Sequence, residues 1–251
     1  MRLARRRRLE PLHLVKRTEA RHNSAVKLVL LPGLDATGDL FAPFLPHLRA
    51  AHEVISYPVG QALDYENLLG YVRERLPRED FVVVGESFSG PLAIQLGAAG
   101  LPQLRGVVLV ATFHRKPVSP LLALLRPLTH PFFFQFGMPA VLVRLLLAGW
   151  DAPLELVEIF QRSLSKVQPK VVAARVRAVL DVDVTSDLAH LKVPTLYLAA
   201  RRDGLVRRAL REEMQRVLPK IEITDFETAH LILQRAPEEA ARVIEEFVTR
   251  C

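Results

Sequence analysis

The stretch Phe81 to Leu96, Phe-Val-Val-Val-Gly-Glu-Ser-Phe-Ser-Gly-Pro-Leu-Ala-Ile-Gln-Leu, narrows the folds open to this chain more than any other. Phe81 to Val84 are aromatic or β-branched without a polar break, as suits a strand buried on both faces. Leu92 to Ala98 predicts a helix packed through small and apolar residues. Between them lies Gly85-Glu86-Ser87-Phe88-Ser89-Gly90. A serine in so sharp a strand-to-helix turn adopts a strained backbone that pushes its Oγ outward. Side chains two places before and after it would then collide, so Gly85 and Ser89 must be small. Pro91 falls in the first helical turn, where its missing N–H costs nothing. The helix N-terminus also sets partial positive charge beneath any oxyanion that forms there. Ser89 stands where a second glycine is usual, with Gly90 one place later. As a nucleophile Ser89 fits less well, because its own neighbours two places away are Ser87 and Pro91.

Around this stretch the patterning alternates. Lys27 to Leu31, Glu53 to Tyr57 and Leu104 to Thr112 read as strands, and Asp64 to Leu76 as an amphipathic helix. From residue 27 the order is β, β, α, β, α, β, which predicts an α/β fold with a parallel sheet wrapped by helices. Leu9 to Lys16 reads as a short first strand. From His114 the rhythm changes: residues 114–185 carry no clear buried strand and are punctuated by prolines from Pro117 to Pro169. Pro120 to Leu125, Phe132 to Phe136 and Val141 to Ala148 read as short helices broken by those prolines. The expectation is a helical cap insertion over the C-terminal edge of the sheet, where open α/β sheets bind ligands. Most of Phe132, Phe133, Phe134, Phe136 and Trp150 are expected to pack the cap onto the core, with some lining an acyl pocket or a lipid-facing entrance. Val193 to Ala200 and Ile221 to Thr224 restore the strand pattern, and Leu205 to Leu218 and Ala236 to Thr249 read as helices. The domain reading is a basic tail at 1–8, a core at 9–113 and 186–251, and the cap at 114–185.

Half of the 251 residues are apolar, which excludes a disordered chain and suits one large α/β domain with an insertion. The formal net charge of +7 owes five charges to Arg2, Arg5, Arg6, Arg7 and Arg8, so it is mainly a property of the tail. A solvated tail is the preferred reading, ahead of contact with anionic lipid or an organellar transit peptide; no nucleic-acid motif accompanies it. The N-terminal charge has no apolar segment after it, so no secretory signal is expected. Cys251 is the only cysteine, which excludes an intrachain disulfide and fits a reducing compartment, here the cytoplasm. No apolar run reaches membrane-spanning length.

A serine hydroxyl needs a base within hydrogen-bond reach, and the base needs an acid to orient it. After Ser87 the chain offers Asp203, behind the strand ending at Ala200, and His230, behind the strand starting at Ile221. Parallel strands bring all three loops to one edge of the sheet. Among the rival histidines only His114 also follows a sheet strand, and it precedes the acid. Asp181, Asp183 and Asp187 come before the Val193 strand and rank below Asp203. The Pro32-Gly33-Leu34-Asp35-Ala36-Thr37-Gly38 loop follows a central strand. It reads either as a plain turn capped by Asp35 or Thr37 or as the source of a second oxyanion donor, and beside the elbow the second reading is preferred.

Taken together, Leu31-Pro32-Gly33-Leu34-Asp35-Ala36-Thr37-Gly38, Gly85-Glu86-Ser87-Phe88-Ser89-Gly90-Pro91, Asp203-Gly204 and Ala229-His230 resemble the α/β-hydrolase superfamily, in particular its capped carboxylesterase-like serine esterases. The resemblance spans roughly residues 27–248. It implies Ser87 as nucleophile, His230 as general base and acid, Asp203 as orienting acid, and the backbone N–H groups of Leu34 and Phe88 as oxyanion donors. It implies a small-molecule acyl ester or thioester substrate and no metal or organic cofactor. Thioesterases and lipid acyltransferases of the same superfamily, and a non-catalytic binding protein of the same fold, are the alternatives.

Overall fold

The computed structural model describes residues 26–117 and 129–251. The expected tail, the strand at Leu9 to Lys16 and the helix at Pro120 to Leu125 lie outside the described residues. Six parallel strands form one sheet: β1 Lys27–Leu31, β2 His52–Val54, β3 Phe81–Glu86, β4 Leu104–Val110, β5 Thr195–Ala200 and β6 Glu222–Phe226, in the spatial order β2-β1-β3-β4-β5-β6. The helices are α1 Tyr65–Arg73, α2 Gly90–Ala98, α3 Ala140–Val143, α4 Leu154–Ser165, α5 Pro169–Asp181, α6 Thr185–Ala189, α7 Arg208–Val217, α8 Ile232–Arg235 and α9 Pro237–Val248. Among the described residues no helix is long and apolar enough to cross a membrane.

The four inner strands β1, β3, β4 and β5 bury both faces, since successive side chains point to opposite sides of the sheet, whereas the edge strands β2 and β6 stay partly exposed. Val29, Leu31, Val83, Val107, Leu109 and Tyr197 pack with Leu68 and Val72 of α1, Leu92 and Leu96 of α2, and Leu210 and Met214 of α7. Leu28, Leu30, Val82, Val84, Val108, Val110 and Leu198 pack with Ile244 and Phe247 of α9 and with Phe41 and Phe44. Burial of each such side chain contributes about 1.5–3 kcal/mol. The strand order reverses between β1 and β3, since the chain runs outward to β2 and then returns to the other side of β1. A crevice at the carboxyl ends of strands forms at such a reversal. The loops carrying Leu34 and Ser87 leave β1 and β3, so both flank it.

The chain leaves the sheet after Val110 and returns at Thr195. An antiparallel bridge at Arg115 and Asp183, with Lys116 N–H donating to the Val182 carbonyl and Val184 N–H to the His114 carbonyl, joins the two ends of this excursion. Its described part contains two long helices, not only the short broken ones expected. Pro153 precedes the first residue of α4 and Pro169 opens α5, so these prolines start helices. α4 and α5 supply a local core of Leu156, Val157, Phe160, Leu164, Val171 and Val172. That core leaves little room for the aromatics expected to fix the segment to the sheet. Phe132, Phe133, Phe136 and Trp150 are 51%, 49%, 79% and 63% exposed, so only Phe134 packs inward as expected. Another correction concerns the start of α7. Leu205 and Val206 donate their N–H groups to Asp203 Oδ1, forming a turn that delays the helix to Arg208.

A Cβ placed on Gly97 of α2 would lie 2.2 Å from Leu191 Cδ2 and 3.0 Å from Val107 Cγ2. Gly97→Ala is expected to lower stability by about 1–3 kcal/mol through overpacking, despite alanine's better helix propensity. Leu191→Ala in the same chain should recover part of that loss, as read from urea unfolding midpoints.

Candidate active site

Ser87 follows β3 with φ of +48°, a region that residues with a side chain seldom occupy. Holding it there costs on the order of 1–3 kcal/mol. Its neighbours leave the turn no alternative. A Cβ on Gly85 would meet Ser89 O at 2.7 Å and Ala93 Cβ at 2.8 Å, and one on Gly90 would meet Thr112 Oγ1 at 1.9 Å. Thr112 Oγ1 donates to the Ser87 carbonyl, so Thr112 cannot give way without releasing the turn. Ser89 is fully buried; its hydroxyl donates to the Pro32 carbonyl and accepts from Tyr57 Oη at 2.6 Å. A serine therefore replaces the usual glycine because its hydroxyl ties the elbow to the loop after β1. The same burial removes Ser89 as a rival nucleophile.

The other two loops converge on Ser87 as the strand order requires. His230 Nε2 lies 2.7 Å from Ser87 Oγ, and His230 Nδ1 lies 2.8 Å from Asp203 Oδ2. Asp203 Oδ1 accepts the N–H groups of Leu205 and Val206, both at 2.8 Å, which fixes the carboxylate plane. The imidazole side chain is 2% exposed and the carboxylate 5%. Burial pushes the His230 pKa down; the charge and hydrogen bond of Asp203, helped by Glu86, outweigh it, and the net direction is up. The rivals stand elsewhere: buried His114 lies 3.6 Å from Glu213, with neither ring nitrogen hydrogen-bonded among the described residues, and Asp183 accepts from Thr185. The cap touches both loops. Leu231 N–H donates to the Leu147 carbonyl, and a Cβ on Gly204 would meet Leu145 O at 2.7 Å, so only glycine beside Asp203 admits the cap backbone.

Ser87 and His230 open onto a cavity of about 190 Å³ whose walls include Leu34, Phe88, Phe113, Met138, Leu146 and Phe160. Phe88 is held by a stacked Tyr65 ring at 4.9 Å, and Tyr65 Oη donates to the Phe88 carbonyl. A larger depression of about 450 Å³ lies beyond Asp203 among Arg201, Arg208 and Arg211, and Ser87 is not one of its walls.

Three charged residues at this site escaped the sequence reading. Glu86, 3% exposed, lines the cavity; Gln234 Nε2 donates to its Oε1 at 2.9 Å. Burial raises its pKa to about 7. Asp35, 1% exposed, accepts Thr37 N–H, Thr37 Oγ1 and Ser163 Oγ at a single oxygen, Oδ2. Arg175 of α5, also 1% exposed, donates to the Leu34 carbonyl at 3.1 Å and the Pro58 carbonyl at 2.9 Å, clamping the cap to the Leu34 loop. Burial lowers its pKa to about 10, which leaves it charged near neutrality. Only Arg175 carried a sequence signal: it sits among Val171, Val172 and Val179, on the stripe that the helical period assigns to the core.

Between pH 4.5 and about 7 the folded chain retains a proton on Glu86 that the unfolded chain has released, so stability falls as pH rises through that window. Glu86→Gln, which preserves the acceptor for Gln234, is expected to be more stable than the parent at pH 8 by up to about 3 kcal/mol. Urea unfolding at pH 8 and pH 4 should show the gain at the first and its disappearance at the second.

The model of the alpha/beta hydrolase family matches residues 28–243. No curated protein matches the chain. Among solved structures, a bromoperoxidase from Bacillus anthracis is similar with a TM-score of 0.78 at 15% identity, over 91% of this chain and 93% of that one. An esterase from Exiguobacterium antarcticum gives 0.77 at 15% identity, over 89% and 92%. The enol-lactonase from Burkholderia xenovorans LB400 gives 0.76 at 19% identity, over 91% and 93%. Identities this low speak to the fold alone, and the fold is that of the α/β hydrolases.

Proposed function

The chain belongs to the alpha/beta hydrolase family, and on that premise we propose that it is a serine esterase cleaving carboxylic esters with an apolar body through an acyl-enzyme. The observation that carries this reading is the unbroken line Ser87 Oγ, His230, Asp203 at 2.7 and 2.8 Å, ending at an apolar cavity. Ser87 Oγ attacks the ester carbonyl while His230 Nε2 takes its proton. Asp203 keeps Nδ1 protonated and stabilises the imidazolium. The N–H groups of Leu34 and Phe88 hold the tetrahedral oxyanion, and the α2 dipole adds to their field. His230 returns its proton to the leaving alcohol, and water then releases the acid by the same steps in reverse.

Thioester hydrolysis and acyl transfer share this acyl-enzyme and differ in leaving group or acceptor. The burial of His230 beneath the cap favours a comparison with an alcohol acceptor, because a site shielded from bulk water gives an alcohol its best competition. A non-catalytic role has no use for an aligned Ser-His-Asp line. Fluorophosphonate labelling separates it, since a binder would leave Ser87 unmodified. The exposed Phe132, Phe136 and Trp150, on the same cap segment as the cavity residues Met138, Leu146 and Phe160, fit delivery of apolar substrate from a lipid surface. In this reading the enzyme works in the cytoplasm, and Cys251 as the only cysteine is in keeping with that.

Ser87→Ala is expected to lower kcat on p-nitrophenyl esters by about 10⁴–10⁶-fold without changing the fold, and an active variant would overturn the assignment. Because His230 acts as a base and its pKa is raised, kcat/KM is expected to fall off on the acid side from above the ordinary imidazole value of about 6.5.

A further inference from the structure

One wall of the cavity carries an atom that the ester mechanism does not use. Asp35 is 1% exposed and lines the cavity beside Ser87. Its two oxygens are in unlike positions. Oδ2 is saturated by Thr37 N–H, Thr37 Oγ1 and Ser163 Oγ, at 3.2, 2.9 and 2.7 Å. Oδ1 is buried and has no hydrogen-bond partner among the described residues. A buried carboxylate oxygen left unpaired is costly, and native proteins satisfy such groups. The position of Oδ1 is informative. A Cβ on Gly33 would lie 3.7 Å from Asp35 Oδ1 and 3.9 Å from Ser87 Cβ, so the carboxylate oxygen and the serine flank one point. Most of the remaining wall is apolar, including Leu34, Phe88, Phe113 and Leu146.

We propose that Asp35 Oδ1 accepts a hydrogen bond from the substrate, so that the site selects esters whose apolar body carries a hydroxyl near the scissile carbonyl. The proposal rests on the esterase reading and names its substrate class. A neutral hydroxyl fits better than an ammonium group. The buried Arg175 guanidinium already attracts the Asp35 charge, and a second buried cation would have to shed its hydration without need. The hydroxyl belongs either to the acyl chain or to the alcohol portion, since both meet the serine at the carbonyl carbon. A site built to accept from a hydroxyl rejects the analogue lacking it far more strongly than an apolar pocket rejects a missing methylene.

The test compares matched esters with the purified full chain. One arm pairs p-nitrophenyl butyrate with its 2- and 3-hydroxy counterparts, and the other pairs a butyrate methyl ester with glycerol monobutyrate. The parent is expected to favour a hydroxylated member of at least one arm by about tenfold or more in kcat/KM. The arm that responds identifies the side bearing the hydroxyl. In Asp35→Asn the amide oxygen must take the Oδ2 position, where three donors converge, which turns the NH₂ group toward the cavity. The charged acceptor becomes a neutral donor, to which a substrate hydroxyl can present only its oxygen, and with the charge-assisted bond lost the kcat/KM ratio should fall several-fold toward one, whatever the absolute rates. A parent that shows no preference in either arm overturns the proposal without recourse to the variant. An Asp35→Asn enzyme that keeps the parent's ratio while all rates fall together also overturns it, and assigns Asp35 to holding a water or the Leu34 loop. Failure of the esterase reading is a separate result: no hydrolysis of any ester and no fluorophosphonate adduct at Ser87.

Discussion

The backbone of Ser87, held in the left-handed region at the end of β3, is the constraint on which this molecule turns. Strain of that kind persists only where the surroundings over-determine it. Here Gly85 and Gly90 admit Ala93 and Thr112 at contact distances no side chain would allow, and Thr112 holds the Ser87 carbonyl from the neighbouring strand end. Ala111 beside it also has positive φ, at +43°. Two adjacent strand ends thus carry unfavourable backbone together, and two packed layers of apolar side chains on the sheet supply the stability that offsets it. The parallel sheet does more than position loops, because it is rigid enough to hold a hydroxyl where an imidazole from a distant segment meets it.

Around that point the electrostatics are divided between two tiers. Asp203, His230 and Ser87 form one line, in which each polar atom has a partner. Behind it lie Asp35, Glu86 and Arg175, all at most 3% exposed, joining the loop after β1, the elbow and the cap helix α5. Desolvating charged groups in one region is expensive, and Asp35 and Arg175 offset part of that cost by mutual attraction while each keeps its own hydrogen-bond partners. The arrangement ties the seating of α5 to the geometry of the Leu34 loop. Arg175 reaches the Leu34 carbonyl only while α5 is seated.

Much of this was legible in the chain. β1 was readable to the residue, and β3 nearly so, because an uninterrupted β-branched run buried on both faces has no competing period. The positions of Ser87, Asp203 and His230 behind strand ends were readable from the strand pattern, and the structure brings the three side chains together. The cap was readable as an interruption but not in detail. Pro153 and Pro169 look like helix breakers in a linear reading, whereas each stands at a helix start, where proline is well suited. The start of α7 was misplaced because Asp203 takes the N–H groups of Leu205 and Val206, a use of its second oxygen that a pattern of apolar residues does not register. The exposure of Phe132, Phe136 and Trp150 was not readable because the segment builds its own core from the apolar residues of α4 and α5. Asp35 and Glu86 were opaque for a simpler reason: whether a carboxylate is buried is decided by remote segments, and nothing local to Leu-Asp-Ala or Gly-Glu-Ser reveals it.

The antiparallel bridge between Arg115 and Asp183 has a consequence of a different sort. Because the excursion that forms the cap begins and ends at one bridged pair of residues, its two ends are held together whatever the segment between them contains. The entropy of closing such a loop grows slowly, by about 0.6 kcal/mol for each doubling of its length. Segments of other sizes and shapes can therefore be carried on the same two ends with β4 and β5 undisturbed. The root of the segment is thereby fixed from the sheet, while its contents meet the loops of Leu34, Asp203 and His230 through Arg175, Leu145 and Leu147, so a change that reshapes this wall of the cavity reaches those loops as well.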